Sequence, residues 1–103
     1  MPVGKKASRV VDITKLDALE AHGLAIVELR QPRFDSKRFG QLVERMIAEG
    51  GTQDERTWRY AGQLYEKAGW LDKALVAYTR CLECGNATAA AAIARLQALL
   101  SHA

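Results

Sequence analysis

The chain has 103 residues, 49% of them hydrophobic and 26% charged, with a formal net charge of +3. That length holds one small domain and not two, and the apolar share is enough to build a core. The charge is too mild for a dedicated nucleic-acid footprint, and two cysteines do not make a disulfide framework.

Residues 1–11 are basic, through Lys5, Lys6 and Arg9, and lack helical periodicity. They read as a flexible N-terminal arm, with Val10, Val11 and Ile13 available to pack its end onto the core. The positive start has no apolar run behind it, so a signal peptide is not expected and a cytoplasmic location is. Thr14 and Asp17 form a weak capping box, after which Leu16, Leu19, Ala25, Ile26 and Leu29 recur at roughly helical spacing up to the stop at Gln31-Pro32.

Asp35 or Ser36 caps the second predicted helix, where Phe39, Leu42, Val43, Met46 and Ile47 make the clearest amphipathic stripe of the chain. Gly50-Gly51 ends it, because glycine tolerates the left-handed conformation of a helix terminus. Thr52 with Glu55 reads as a capping box opening a third helix, which Gly69 closes. Asp72 caps a fourth helix, Gly85 closes it, and Asn86 or Thr88 starts a fifth carrying Ile93, Leu96, Leu99 and Leu100. That last segment, from Ala87 to Leu100, is broken by Thr88, Arg95 and Gln97 and is no membrane span. The pattern is all-α: about five antiparallel helices joined by short turns.

Within it, Trp58, Ala61-Gly62, Tyr65, Gly69, Ala74, Tyr78, Cys81 and Asn86 place large and small residues at a characteristic set of spacings. This stretch resembles one tetratricopeptide (TPR) repeat over about residues 55–86: a helix, a tight turn and an antiparallel second helix. The resemblance implies Gly62 and Ala74 as the small residues where the helices cross, and Trp58, Tyr65 and Tyr78 as the large knobs. Leu71, Leu75 and Leu82 would complete the inner face. Ala61 replaces the usual leucine and Asn86 the usual helix-ending proline, asparagine being a good cap for the next helix.

Moving back 36 positions sets Phe39 on Leu75, Leu42 on Tyr78, Met46 on Leu82, Ala25 on Ala61 and Leu29 on Tyr65. Ile26 then stands where the repeat has Gly62, and Lys37 falls at or near the alanine of the crossing. Residues 14–50 therefore resemble a degenerate TPR-like hairpin. The implied organisation is an arm at 1–11 and one helical domain at 12–103. The domain would comprise the degenerate hairpin 14–50, a TPR at 54–86 and a closing helix at 87–101, as a fragment of a right-handed α-α superhelix.

Candidate chemistry is sparse. Cys81-x-x-Cys84 lacks the second ligand pair of a metal site, since the two histidines, His22 and His102, are not at useful spacings. It sits at a helix C-terminus, where the dipole disfavours thiolate, so packing is the favoured reading. His22 falls in the register of Trp58 and either packs or faces solvent. No Ser-His-Asp order, phosphate loop or paired carboxylate signature occurs. No catalytic residue, metal or cofactor is expected, and the chain does not read as an enzyme.

By the resemblance, the first helix of each hairpin lines a concave groove. Its outward residues would be Glu55, Arg59, Gln63, Glu66 and Lys67, with Val27, Arg30 and Gln31 as looser counterparts. An ordinary solvated helix face explains the same charges equally well. Arg30, Arg33, Lys37 and Arg38 surround a turn, where they keep a loop soluble or attract an acidic segment. Trp70 either covers the hairpin end or is an exposed interface anchor. The alanine-rich final helix offers a face for self-association, through Ala89 to Ala92, Leu99 and Leu100.

The expected function is a non-enzymatic protein–protein interaction module binding a peptide or partner protein, with an acidic partner suited to its charge. It would act as an adaptor, assembly factor or chaperone. The alternative is a small regulatory protein contacting nucleic acid through the basic arm and the Arg30–Arg38 cluster.

Overall fold

The structure, a computed structural model, describes residues 11–102. A 3-10 turn at Ile13–Lys15 precedes five α-helices: α1 (Ala18–Leu29), α2 (Ser36–Gly50), α3 (Glu55–Lys67), α4 (Leu71–Glu83) and α5 (Ala89–Ser101). The fold is all-α, and no strand occurs among the described residues. α1 packs on α2 and α3 on α4 as two hairpins, α2 meets α3 between them, and α5 packs on α4. The stretch read as a basic arm lies, apart from Val11, outside the described residues.

Several helix starts differ from the sequence expectation. The first capping box is Asp17 with Glu20, not Thr14 with Asp17: Glu20 donates its N–H to Asp17 Oδ1 at 2.7 Å, and Glu20 Oε1 accepts from the Asp17 N–H at 2.9 Å. Thr14 instead belongs to the 3-10 turn, capped by Asp12. Asp35 caps α2, accepting from the Arg38 N–H at 3.0 Å. At α3 the cap is Asp54, which accepts from Arg56 N–H at 2.9 Å, so Glu55 is the first helical residue and no Thr52–Glu55 box forms. Asp72 is not a cap either; it lies in the first turn of α4, where a carboxylate favours the positive end of the helix dipole. α5 starts at Ala89, with Asn86 Oδ1 accepting from the Thr88 N–H at 3.0 Å.

Burial follows the helical stripes. Phe39, Leu42, Val43 and Met46 of α2 are buried against Ala21 and Ala25 of α1, then Ala61, Leu64 and Tyr65 of α3 and Ala74, Ala77 and Tyr78 of α4. Each large apolar side chain so buried contributes roughly 1.5–3 kcal/mol. The alanines let helices approach closely, and Leu96 alone of α5's large side chains is fully covered. Two expectations fail here. Leu19 is 79% exposed and Leu82 39% exposed, because each is turned off the contact stripe of its helix.

Trp70 joins the two hairpins. α3 ends with Gly69 at φ 81°, the Gly69 N–H bonded to Glu66 O at 3.0 Å and the Trp70 N–H to Tyr65 O at 2.9 Å. This double bond pattern closes a helix and brings the residue after the glycine back onto the last turn. The indole accordingly stacks on Tyr65, at 5.9 Å, and meets Phe39 edge-on at 5.2 Å, with Phe34 beyond at 6.3 Å. A β-carbon on Gly40 of α2 would touch the indole at 3.6 Å, so the small residue leaves room for the ring. The Lys73 ammonium stands 5.7 Å from the centroids of both Trp70 and Tyr65.

Candidate partner-binding face

α1 and α3 lie side by side and leave one face of each uncovered. On α3 the exposed stripe is Arg56, Tyr60, Gln63 and Lys67; on α1 it is Leu19, Gly23, Val27 and Arg30. Each set recurs at three- or four-residue intervals and so shares one side of its helix. The His22 and Tyr60 rings meet across the seam with centroids 5.1 Å apart. Beside them a cavity of about 240 Å³ opens, lined by Leu19, His22, Met46, Asp54, Arg56, Thr57 and Tyr60. Leu19, Val27 and Tyr60 are 79%, 49% and 37% exposed. Three large apolar groups thus share a single face.

The predicted groove residues divide between two places. Gln63, Lys67, Val27 and Arg30 are exposed on this face, together with Gln31 at its end. Glu55 and Glu66 are tied to the α4–α5 turn and to the body of α5, whereas Arg59, paired with Glu55, sets its guanidinium over the Tyr60 ring at 5.0 Å and so borders the exposed face. Glu55 Oε1 accepts from Asn86 Nδ2 at 2.7 Å and from Arg59 Nε at 3.3 Å. Glu66 pairs with Arg95 of α5, whose Nη2 donates at 3.2 Å to the Oε1 that also accepts the Tyr78 hydroxyl at 3.2 Å. Trp70 is half-buried in the aromatic cluster between the hairpins and covers the hairpin end.

Leu19, Arg56 and Tyr60 were not singled out as binding residues from the sequence. The available signal was the i, i+4, i+7, i+11 series Arg56, Tyr60, Gln63, Lys67, offset by one position from the series beginning at Glu55. Which of two adjacent helix stripes faces outward depends on where the neighbouring helix docks.

Protonation follows these partners. The Asn86 amide, then Arg59, holds the Glu55 carboxyl below its ordinary range. Arg95 holds Glu66 down in the same way, against the opposing effect of burial. Burial at the seam pushes the His22 imidazole down, and the nearby Lys67 charge adds to it. His22 is therefore biased toward the neutral form.

Elsewhere the turn cluster is partly committed. Arg38 pairs with the buried Glu28 at 3.4 Å, while Arg30, Arg33 and Lys37 are exposed. Both cysteines are free thiols; Cys81 is buried and Cys84 half-buried, its Sγ 3.6 Å from Thr52 O. Burial, then the Glu55 charge, pushes the Cys81 thiol up. Among the described residues no three His, Cys, Asp or Glu gather as a metal site, and no helix is long and apolar enough to cross a membrane. A second cavity, of about 280 Å³, opens on the other side between α2 and α4, lined by Ile47, Trp58, Tyr65, Lys73 and Val76.

No family model matches the chain, and no curated protein or solved structure matches it significantly.

Proposed function

We propose that the protein is a non-enzymatic, TPR-like interaction module that holds a peptide or partner protein on the α1–α3 face. The observation that carries the reading is the exposure of Leu19 and Tyr60 on a cavity at the seam of two helices, with Val27 exposed further along the same side of α1. Apolar side chains grouped beside a concavity and rimmed by polar groups mark a docking site, whereas single exposed apolar residues do not. The TPR-like reading is supported by the hairpin order and by Gly62 and Ala74, buried where α3 and α4 pack together. An adaptor or assembly role follows, because such a scaffold supplies geometry and no reactive group.

The test is capture of partners from the native cell on three immobilised chains: unmodified, Leu19→Asp with Tyr60→Ala, and Val76→Asp on the opposite side. A protein held by the first and third chains and lost from the second supports the reading. Identical partner sets on all three chains would refute it.

A further inference from the structure

We infer that the end of the molecule built from the α1–α2 and α3–α4 turns docks on an anionic lipid surface, with Phe34 at the point of contact. The cations of the protein divide into two groups. Arg38, Arg45, Arg56, Arg59, Arg80 and Arg95 are each held by a carboxylate. Arg30, Arg33, Lys37, Lys67 and Lys73 are exposed, make no ion pair among the described residues, and all stand at this one end. The two turns are neighbours because α1 and α3 run the same way. His22 meets Tyr60 at 5.1 Å partway along them, and Phe34 meets Trp70 at 6.3 Å past their ends. Of the carboxylates here, Glu28 is bound to Arg38 and Asp35 caps α2, which leaves Asp72 alone to offset the free cations.

Among these cations the surface is apolar. Phe34 is 39% exposed, Pro32 close to it is exposed, and Trp70 behind them is half-buried. Charge complementarity calls for an anion, and the layout selects which kind. The cations come from the end of α1, the turn after it, the start of α2, the end of α3 and the start of α4, so they surround a tip and do not line a groove. A nucleic-acid strand is tracked by a cationic groove whose rings are free to stack on bases. Here the rings are engaged, Trp70 with Tyr65 and Phe39, and Phe34 against Phe39 at 5.3 Å. A lipid surface meets a whole tip at once, attracts every cation within a Debye length, and accepts an aromatic side chain at headgroup depth. Such contact needs no spanning helix. Only Arg30 and Lys67 also border the α1–α3 face, so the inference stands apart from the partner reading.

The experiment is flotation of the full chain with vesicles of phosphatidylcholine alone and of phosphatidylcholine mixed with phosphatidylserine. Binding to the mixed vesicles and not to the neutral ones is expected, weakening as salt is added. Each cation near such a surface is worth about fivefold, so Arg33→Gln/Lys37→Gln should lower partitioning about 25-fold. Lys15→Gln/Arg80→Gln, which removes the same charge away from the tip, should lower it far less. Phe34→Ser should weaken binding at unchanged charge. Circular dichroism verifies that each variant is folded, and the charge variants stand as the test if Phe34→Ser is not.

No binding to the mixed vesicles, equal binding to the neutral ones, equal losses in the two charge pairs, or full binding by a folded Phe34→Ser chain would each overturn the inference. So would a labelled single-stranded oligonucleotide that is bound through Arg33 and Lys37 while vesicles are not, which would assign the tip to nucleic acid.

Discussion

The ring of Tyr78 lies against Gly62: a β-carbon at Gly62 would stand 2.9 Å from both Cε1 and Cζ of the ring. The ring is not free to retreat, since Tyr78 is 6% exposed and its hydroxyl donates to Glu66 at 3.2 Å. Gly62→Ala therefore sets a helix-propensity gain of about 1 kcal/mol against an overpacking cost of typically 1–3 kcal/mol. Net destabilisation is expected in urea unfolding, whereas Gly23→Ala, with open space around it, should stabilise.

Glu66 ties α3 to α5 through Arg95 and to α4 through Tyr78. Its carboxyl is held below the ordinary carboxylate range in the fold, chiefly by Arg95. The stabilisation is therefore complete above the unfolded value of about 4.3 and is lost as pH falls through the lower folded value. Glu66→Gln should reduce stability near neutral pH by up to ~1 kcal/mol, the pair being partly exposed. Unfolding curves of the two chains should converge in acid. A constant gap at all pH values would show that the ion pair is not the cause.

Glu28 is 7% exposed and fastens the turn between α1 and α2: it accepts the Asp35 N–H at 3.0 Å and pairs with Arg38 at 3.4 Å. Glu28→Ala leaves that N–H without its partner and should cost about 1–3 kcal/mol. Glu28→Gln keeps an acceptor and should cost less. Hydrogen exchange at Asp35 distinguishes the two, with faster exchange in the alanine variant.

His22 is held toward neutrality by burial first and by Lys67 second. Its contribution to stability is full above the ordinary histidine value near 6.5 and falls as pH drops through the depressed folded value. In an NMR titration of the imidazole, Lys67→Gln should raise the His22 midpoint. An unchanged midpoint would separate the two groups.

Alkylation of the folded chain should modify Cys84 well before Cys81, because Cys81 is buried and its thiol is pushed up by that burial. Peptide mass spectrometry after a timed pulse measures the order, and equal rates would indicate that the end of α4 opens freely.

The helical hairpins were legible in the residues themselves. The stripe from Phe39 to Ile47 has no other way to bury its apolar face, and Gly51, Gly69 and Gly85 stop helices with φ of 93°, 81° and 108°. The placement of Trp70 was open between a cover on the hairpin end and an exposed anchor; the turn at Gly69 decides it by bringing the indole back onto Tyr65. Caps were harder to read. At α3 the cap is Asp54 and not Thr52, whose carbonyl instead accepts from Trp58 Nε1 at 2.9 Å.

What the sequence determined by itself was therefore periodic and local: five helices, their stops, and the small residues at Gly62 and Ala74 where helices pack. Only tertiary packing decided which stripe of α3 faces outward. Asn86 and Arg95 draw Glu55 and Glu66 toward α5, and the seam with α1 turns Tyr60 and Arg56 to the open side. The physical reason is that a helix presents its side chains all around its axis, and its free face is whatever its neighbours leave uncovered.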